Sequence, residues 1–552
     1  MKTSLKAILC VTLLAVASFL SAQAPDWLWV AQSQGANAEQ GNAIVCDANG
    51  NSYVAGYFEG TATLGTTTLI SNGSNDLYAA KLDPDGNWLW AVQAGGAGED
   101  VAYGIALDND GTVYLTGFFS QTATFGSITL VSSGSTELFA AKLNNNGNWL
   151  WAVQAGGAAA ETGTGIAVDA DANVYLTGIF AGTATFGTTS LISLGLNDIF
   201  AAKLDGSGNW LWAVSAGSTN LDEAHGIALD GDGNAYITGI FRLTATFGTI
   251  SVTCNGRNDV FAAKLDSTGN WLWVANGGGD HDTYADNANG IAVDAASNVY
   301  LTGEFFATAT FGTSTFTSSG GRDIYIAKLD GNGNWLWADK AGGINSDSGS
   351  GIATDSASAV YVTGYYQSNI NLGPFFLGGI GLSDIFIAKL DNAGNWQWAM
   401  RAGSPLNDYG RGIAVDEDEN VYLHGAFSGV ANFGDFSLTA SSFDLYVAKL
   451  SGAGVETDDP LVPELPAASC LHDAWPNPAR PGATLHFKAV ISRRETGNLA
   501  VYNLRGQCLA NYRLGSGIHQ IELGSSDLPS GIYFYQLKTP SVNQVKRLVL
   551  FR

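Results

Sequence analysis

The chain has 552 residues, of which only 14% are charged and 70 are glycine, with 50 acidic side chains against 25 basic ones. Scarce helix formers and abundant glycine exclude a helical protein and indicate an all-β chain rich in turns. Residues 23–468 hold 13 basic and 46 acidic side chains, a net charge of −33, whereas residues 469–552 hold 10 and 4, a net +6; a domain that acidic repels phosphate backbones, so no nucleic-acid partner is expected.

Residues 1–22 read as a signal peptide: Lys2 and Lys6, an apolar run from Ala7 to Leu20, then small Ser21 and Ala22. The run is too short to span a membrane, and no other segment approaches twenty uninterrupted apolar residues, so no transmembrane segment is expected. Cys10 lies inside the apolar run without small residues before it, which does not fit a lipoprotein acylation site. The expected product is secreted or displayed at the cell surface.

Residues 23–454 are repetitive. The string AKL recurs with its lysine at Lys81, Lys142, Lys203, Lys264, Lys328, Lys389 and Lys449, in steps of 61, 61, 61, 64, 61 and 60. Within one unit, GIAVD (165–169), VYLTG (174–178), DIFAAKL (198–204) and WLWAV (210–214) are short β-branched or aromatic runs divided by Asp, Asn and Gly. They predict four antiparallel strands joined by tight turns, the pattern of a propeller blade, recurring seven times. Trp27-Leu28-Trp29 precedes the first GIAVD-like strand, and no WxW follows the last AKL. This offset of one strand predicts that the N-terminal strand completes the last blade and closes a seven-bladed ring.

Fourteen of the fifteen tryptophans stand in the WxW strings, and strict alternation predicts both of each pair packing against the next blade. The surplus length of each unit, such as TATFGTTSLIS (183–193), predicts an extra hairpin or an extended connection. The repeated lysine is expected to be paired or solvated.

An acid recurs just ahead of every inner strand, at Glu39, Asp100, Glu161, Asp222, Asp286, Asp347 and Asp408. Two readings stand open: a ring of carboxylates at a channel mouth, able to bind a cation such as calcium or to exclude anions, or seven acceptors of backbone N–H groups within the blades. The longest spacing falls in the loop 277–286, where Asp280, His281 and Asp282 break the sevenfold pattern and form a second candidate binding site. Four cysteines outside the signal peptide are too few for a disulfide framework, and Cys470 with Cys508 is the one bridge worth weighing.

The strings GIAVDADANVYLTG and DIFAAKLDGSGNWLWA resemble the bacterial β-propeller repeat family called SBBP over about residues 26–454. The resemblance implies the fold and says little about activity. After a Pro-rich acidic linker, 455–469, residues 470–552 resemble the C-terminal sorting domain of type IX secretion substrates, through WPNPARPGATLHF (475–487), LAVYNLRGQ (499–507), LPSGIYFYQL (528–537) and KRLVLFR (546–552). Alternating strands with Gly and Pro turns there indicate a small β-sandwich. The resemblance implies passage across the outer membrane by the type IX machinery.

No GxSxG, HExxH or CxxC string is present, and the six histidines are scattered. The expectation is a non-enzymatic propeller that binds a protein or a glycan, or serves as a scaffold. The alternative is a divergent propeller enzyme, quinoprotein-like or polysaccharide-acting, since AKLDGSGNWLW is similar to the tryptophan-docking repeat of quinoprotein dehydrogenases, whose propellers usually have eight shorter blades. A distinct, asymmetric pocket is the outcome tied to an enzyme, and a uniform channel the outcome tied to a binder.

Overall fold

The computed structural model describes residues 24–281, 285–452, 470–471, 474, 477–480, 483–491, 497–514, 517–524, 528–540 and 542–551. The signal-peptide segment 1–22, the linker 455–469 and Asp282 lie outside them. The chain divides into two compact units, Met1–Val455 and Glu456–Arg552. All regular elements among the described residues are strands, in several antiparallel sheets. No helix there is long and apolar enough to cross a membrane.

The third repeat shows how the sequence builds one sheet. Its inner strand Glu161–Val168, second strand Val174–Phe180, third strand Asp198–Leu204 and outer strand Trp210–Gly217 pair antiparallel in chain order. The turns between them are fixed by aspartates. The Asp169 carboxylate accepts the amides of Asp171 at 3.0 Å and Asn173 at 2.8 Å, and Asp205 does the same for Ser207 at 2.9 Å and Asn209 at 3.0 Å. Lys203 lies 3.5 Å from Asp169 and 4.4 Å from the centre of the Tyr175 ring, so the repeated lysine is paired.

The surplus of each repeat is a hairpin, here Thr183–Phe186 with Thr189–Ile192, turning at Gly187 with φ +60°. It pairs with the outer strand of the preceding repeat, Gly156 opposite Thr185 and Gly157 opposite Ala184. In the first, fifth and seventh repeats the hairpin merges with the second and third strands, as in Ser52–Leu64 and Thr67–Leu82.

The tryptophans depart from the expected alternation. Trp149 pairs with Leu143 and Trp151 with Lys142, because the register slips between these two partners and Leu150 bulges out, half exposed. Adjacent residues of the third strand face opposite sides, so the two indoles do as well. Trp149 stands edge-on to Phe125 of its own hairpin at 5.1 Å, whereas the Trp151 indole N–H reaches the carbonyl of Gly206 in the next repeat at 3.2 Å.

The N-terminal strand Trp27–Gly35 adopts the same bulged register against the third strand of the last repeat, Trp27 opposite Leu450 and Trp29 opposite Lys449. Trp29 donates to the carbonyl of Pro84 in the first repeat at 2.8 Å, as Trp90, Trp151, Trp212, Trp273 and Trp337 donate to their following repeats. Inner strands also touch in sequence. A Cβ on Gly165 would come within 3.1 Å of Ile227 in the next repeat, and one on Gly412 within 3.4 Å of Ile44 in the first. One apolar core joins Tyr422, Leu445 and Val447 of the last repeat to Val54, Tyr78 and Leu82 of the first.

In the C-terminal unit, one sheet holds Cys470–Leu471, Thr484–Ile491 and Gly517–Gly524, and the other Cys508–Leu514, Gly497–Asn503, Gly531–Lys538 and Asn543–Leu550. Leu485 and Phe487 of the first share a core with Leu499, Val501, Tyr535 and Leu548 of the second. Cys508 is a free, exposed thiol, so no Cys470–Cys508 bridge forms.

Candidate functional site

Every inner strand carries a bulge. In the third repeat, Gly163 pairs with Gly178 and Gly165 with Thr177, which leaves Thr164 without a partner on the second strand. The same slip isolates Asn42, Tyr103, His225, Asn289, Ser350 and Arg411. A bulge re-aims its extra side chain away from the ladder. These seven residues, one from each repeat, line a single cavity of about 560 Å³ together with Tyr365, Tyr409 and Gly410.

The flanking residues are almost constant, Gly-Ile-Ala in six repeats and Ala43-Ile44-Val45 in the first. The bulge residue is not: the series is Asn, Tyr, Thr, His, Asn, Ser, Arg. Part of its polarity is structural. Asn42, Thr164 and Asn289 each donate to a carbonyl of the next inner strand, at 2.9, 2.7 and 2.9 Å, and His225 Nδ1 lies 2.6 Å from the carbonyl oxygen of Ala288. That need is met by any small polar group, so it does not account for tyrosine or arginine.

The wall is amphipathic. Tyr365 and Tyr409 stand edge to face at 5.1 Å, and Tyr103 lies 6.0 Å from Phe118. Burial pushes the phenols of Tyr103 and Tyr365 up, so both remain neutral donors. His225 Nε2 is 3.4 Å from Glu223. Arg411 donates to Gln40 at 2.8 Å, its Nε is buried without a partner, and none of the ion pairs among the described residues includes it. Beside Arg411 lies His424, fully buried, with neither ring nitrogen hydrogen-bonded. Burial first, and the Arg411 charge second, hold this imidazole down at about 3, so it is neutral. Its counterparts Thr116, Thr177, Thr238, Thr302 and Thr363 all donate to main-chain carbonyls.

The acids at Glu39, Asp100, Glu161, Asp222, Asp286, Asp347 and Asp408 are elsewhere. They are 0 to 4% exposed, and none lines the cavity. Most act as staples between repeats: Asp100 accepts from Gly96 at 2.8 Å and Ser120 at 3.3 Å, Asp222 from Ser218 at 2.6 Å and Arg242 at 3.0 Å, Asp347 from Gly343 at 2.7 Å and Gln367 at 3.0 Å. Asp286 and Asp408 each make the equivalent two bonds, Glu161 holds the amide of Gly157, and Glu39 accepts from the Ser33 hydroxyl. Of the two readings left open for these acids, the structure matches the acceptors of backbone N–H groups and not a carboxylate ring at a channel mouth: the acid precedes the bulge by three residues and turns into the junction between repeats.

Each acid meets a second buried one from the preceding repeat, in turn Asp444, Asp76, Glu137, Asp198, Asp259, Asp323 and Asp384. A Cβ on Gly95, at φ +148°, would lie 2.8 Å from both the Asp100 carboxylate and Asp76, so only glycine fits between them. Burial, reinforced by the neighbouring carboxyl, pushes Glu39 up to about 8, Asp100, Glu161 and Asp347 to about 7, and Asp286 and Asp408 to about 6. Paired buried carboxyls of this kind retain protons near neutral pH. Among the described residues no group of three or more His, Cys, Asp or Glu is placed to hold a metal ion, and two carboxyls alone fall short of the six to eight oxygens calcium takes.

Of the candidates in the insertion, Asp282 lies outside the described residues, and the described Asp280 and His281 do not form a site with the cavity. Asp280 is exposed, the His281 ring packs edge-on to Phe306 at 5.3 Å, and neither lines the cavity.

Comparison with known proteins agrees with the repeat and the C-terminal unit. Residues 215–239 match the family described as a β-propeller repeat, and residues 473–550 match the secretion system C-terminal sorting domain. An uncharacterized WD repeat-containing protein of Acanthamoeba polyphaga mimivirus is 25% identical over 76% of this chain and 38% of its own length. The chain thus spans well under half of that relative. Among solved structures, PorZ, a surface component of the type IX secretion system of Porphyromonas gingivalis, is 14% identical with a TM-score of 0.36 over 94% of this chain and 60% of its own. A fungal alcohol oxidase in complex with copper reaches 0.41 at 10% identity over 95% of this chain and all of its own. Likenesses this distant carry no argument about activity. The sorting domain points to export and to an outer-membrane or surface location. The chain carries an SBBP β-propeller repeat and a type IX secretion C-terminal sorting domain.

Proposed function

We propose that this is an exported, non-enzymatic propeller of seven blades, closed by its N-terminal strand, which binds a small polar ligand in its central channel. Closure is supported by Trp29, which makes the inter-repeat bond to Pro84, and by Gly412, which meets Ile44. Binding in the channel is supported by one observation above the others: the bulge position differs along the ring, while the residues beside it hardly change. A volume of about 560 Å³ lies within the range of small-molecule sites.

The asymmetry was the outcome tied to an enzyme, and His225 beside Glu223 keeps that reading alive. Against it, no Asp, Glu or Cys is among the lining residues, and the His225 nitrogens already face the Ala288 carbonyl and Glu223, so no spare base is poised over the cavity. Signal peptide and sorting domain together would carry the product through the periplasm to the surface. Removing residues 470–552 should leave a folded propeller in the periplasm.

The test is a glycan and metabolite binding screen on the full chain and on Ser350→Trp, which fills the channel from its wall. Loss of binding with an unchanged unfolding midpoint supports the channel site. Equal binding by the plugged variant moves the site elsewhere, and turnover of a bound glycan would establish the enzyme reading.

A further inference from the structure

We propose that the channel recognises a carboxylated sugar, a uronic acid residue standing free or at the end of a polysaccharide, with Arg411 holding the carboxylate. The inference rests on the channel being a binding site. It begins with an imbalance: residues 23–468 contain 46 acids and 13 bases, so an arginine there has carboxylates in excess. Lys203, Lys264, Arg322, Lys340 and Lys389 take one, whereas Arg242, Arg401 and Arg411 are in none of these pairs. Arg242 is held by Asn258 and Arg401 by the Gly378 carbonyl, away from the cavity; Arg411 lines it, held there by a neutral amide, Gln40, at 2.8 Å. A guanidinium kept from internal carboxylates and turned to a cavity is set to receive one from a ligand, in the bidentate geometry that carboxylates favour.

The rest of the wall fits the body of a sugar. Tyr365 and Tyr409, 5.1 Å apart and at 89° to one another, offer an aromatic corner to the apolar face of a pyranose. On another sector of the wall, Asn289 has its Nδ2 committed to the Gly349 carbonyl, which fixes the amide orientation and turns its oxygen into an acceptor for hydroxyl groups. One cation, an aromatic corner and oriented amides discriminate a hydroxylated carboxylate from both a neutral hexose and a simple aliphatic acid.

The measurement is titration calorimetry of the full chain with galacturonic acid, its dimer and trimer, and galactose as the neutral control, repeated on Arg411→Gln and Ser350→Trp. The expected result is uronate binding that weakens about ten- to a hundredfold in Arg411→Gln, the loss of a charge-assisted pair, and vanishes in Ser350→Trp. Monomer and trimer binding alike would assign a free sugar acid; affinity rising with length would assign a chain end. Galactose binding as tightly as galacturonate, or an Arg411→Gln isotherm equal to wild type, overturns the carboxylate inference and leaves the channel site standing. Absence of uronate binding by the wild type, with other glycans still lost on plugging, overturns it as well.

Discussion

Two positions at the start of each inner strand, three residues apart, have opposite histories in this chain. At the position of Asp222 every repeat keeps an acid; at the position of His225 the repeats carry Asn, Tyr, Thr, His, Asn, Ser and Arg. The first is buried between repeats and bonded to backbone amides, and the second faces the cavity. A repeat protein thus holds its own comparison set: what recurs in every unit is construction, and the positions that vary, here the bulge and the residue two before it (Gln40, Val101, Thr162, Glu223, Asn287, Ser348 and Tyr409), mark where units were released from that duty or given separate tasks.

The construction side breaks most severely at the seam. Deleting residues 23–31 removes Trp27 and Trp29 and exposes the edge of Phe436–Leu450. Two indoles represent roughly 8 kcal/mol or more of gross burial, comparable with the whole stability of a typical domain at about 5–15 kcal/mol. Cooperative thermal unfolding should be lost. A midpoint equal to that of the full chain would show that the seam is not needed.

Proton demand at the junctions gives the next largest effect. Carboxyls raised above their unfolded values bind protons more tightly in the native state, so their contribution falls as pH rises through their folded values, from about 6 for Asp286 to about 8 for Glu39. The turn aspartates act oppositely: hydrogen bonds hold Asp266 down at about 2, so its contribution is lost below about pH 4. The unfolding midpoint should therefore be highest near pH 5 and lower at pH 9. Glu39→Gln, neutral at every pH beside Asp444, should narrow that difference, and a variant that leaves it unchanged would remove the junction carboxyls from the explanation.

A single inter-repeat bond sets a finer scale. Trp212→Phe keeps an aromatic ring but loses the 3.1 Å bond to the Ser267 carbonyl and part of the indole's packing, and should cost about 1–3 kcal/mol in denaturant unfolding. Calcium in excess over chelator should move the wild-type midpoint by nothing measurable, because the acids that looked like a ring are buried staples. A clear rise would return them to the list of cation ligands.

Much of the architecture was legible in the sequence because period and alternation are properties of a single unit. The four strands, the Asp-Gly turns and the pairing of Trp27–Trp29 with the last AKL all follow from them, and between the hairpin and the extended connection left open around Gly187 the structure has the hairpin. What was not legible depended on bulges, which leave no local mark. One bulge beside Leu150 sends Trp149 and Trp151 to opposite faces; another turns Thr164, not Glu161, toward the cavity. A search for what recurs also passes over what varies. The signal was present in the column between Gly163 and Gly165 and its equivalents, and His424 in place of the recurring threonine marked the same seam.

The most direct measurement sets all seven bulge positions to threonine, the residue of the third repeat, which makes its own inter-repeat bond at 2.7 Å. The account predicts a chain that unfolds within a few degrees of wild type and binds none of the glycans the wild type binds. A variant that fails to fold would make the bulge residues structural, and one that retains binding would place the site outside the channel.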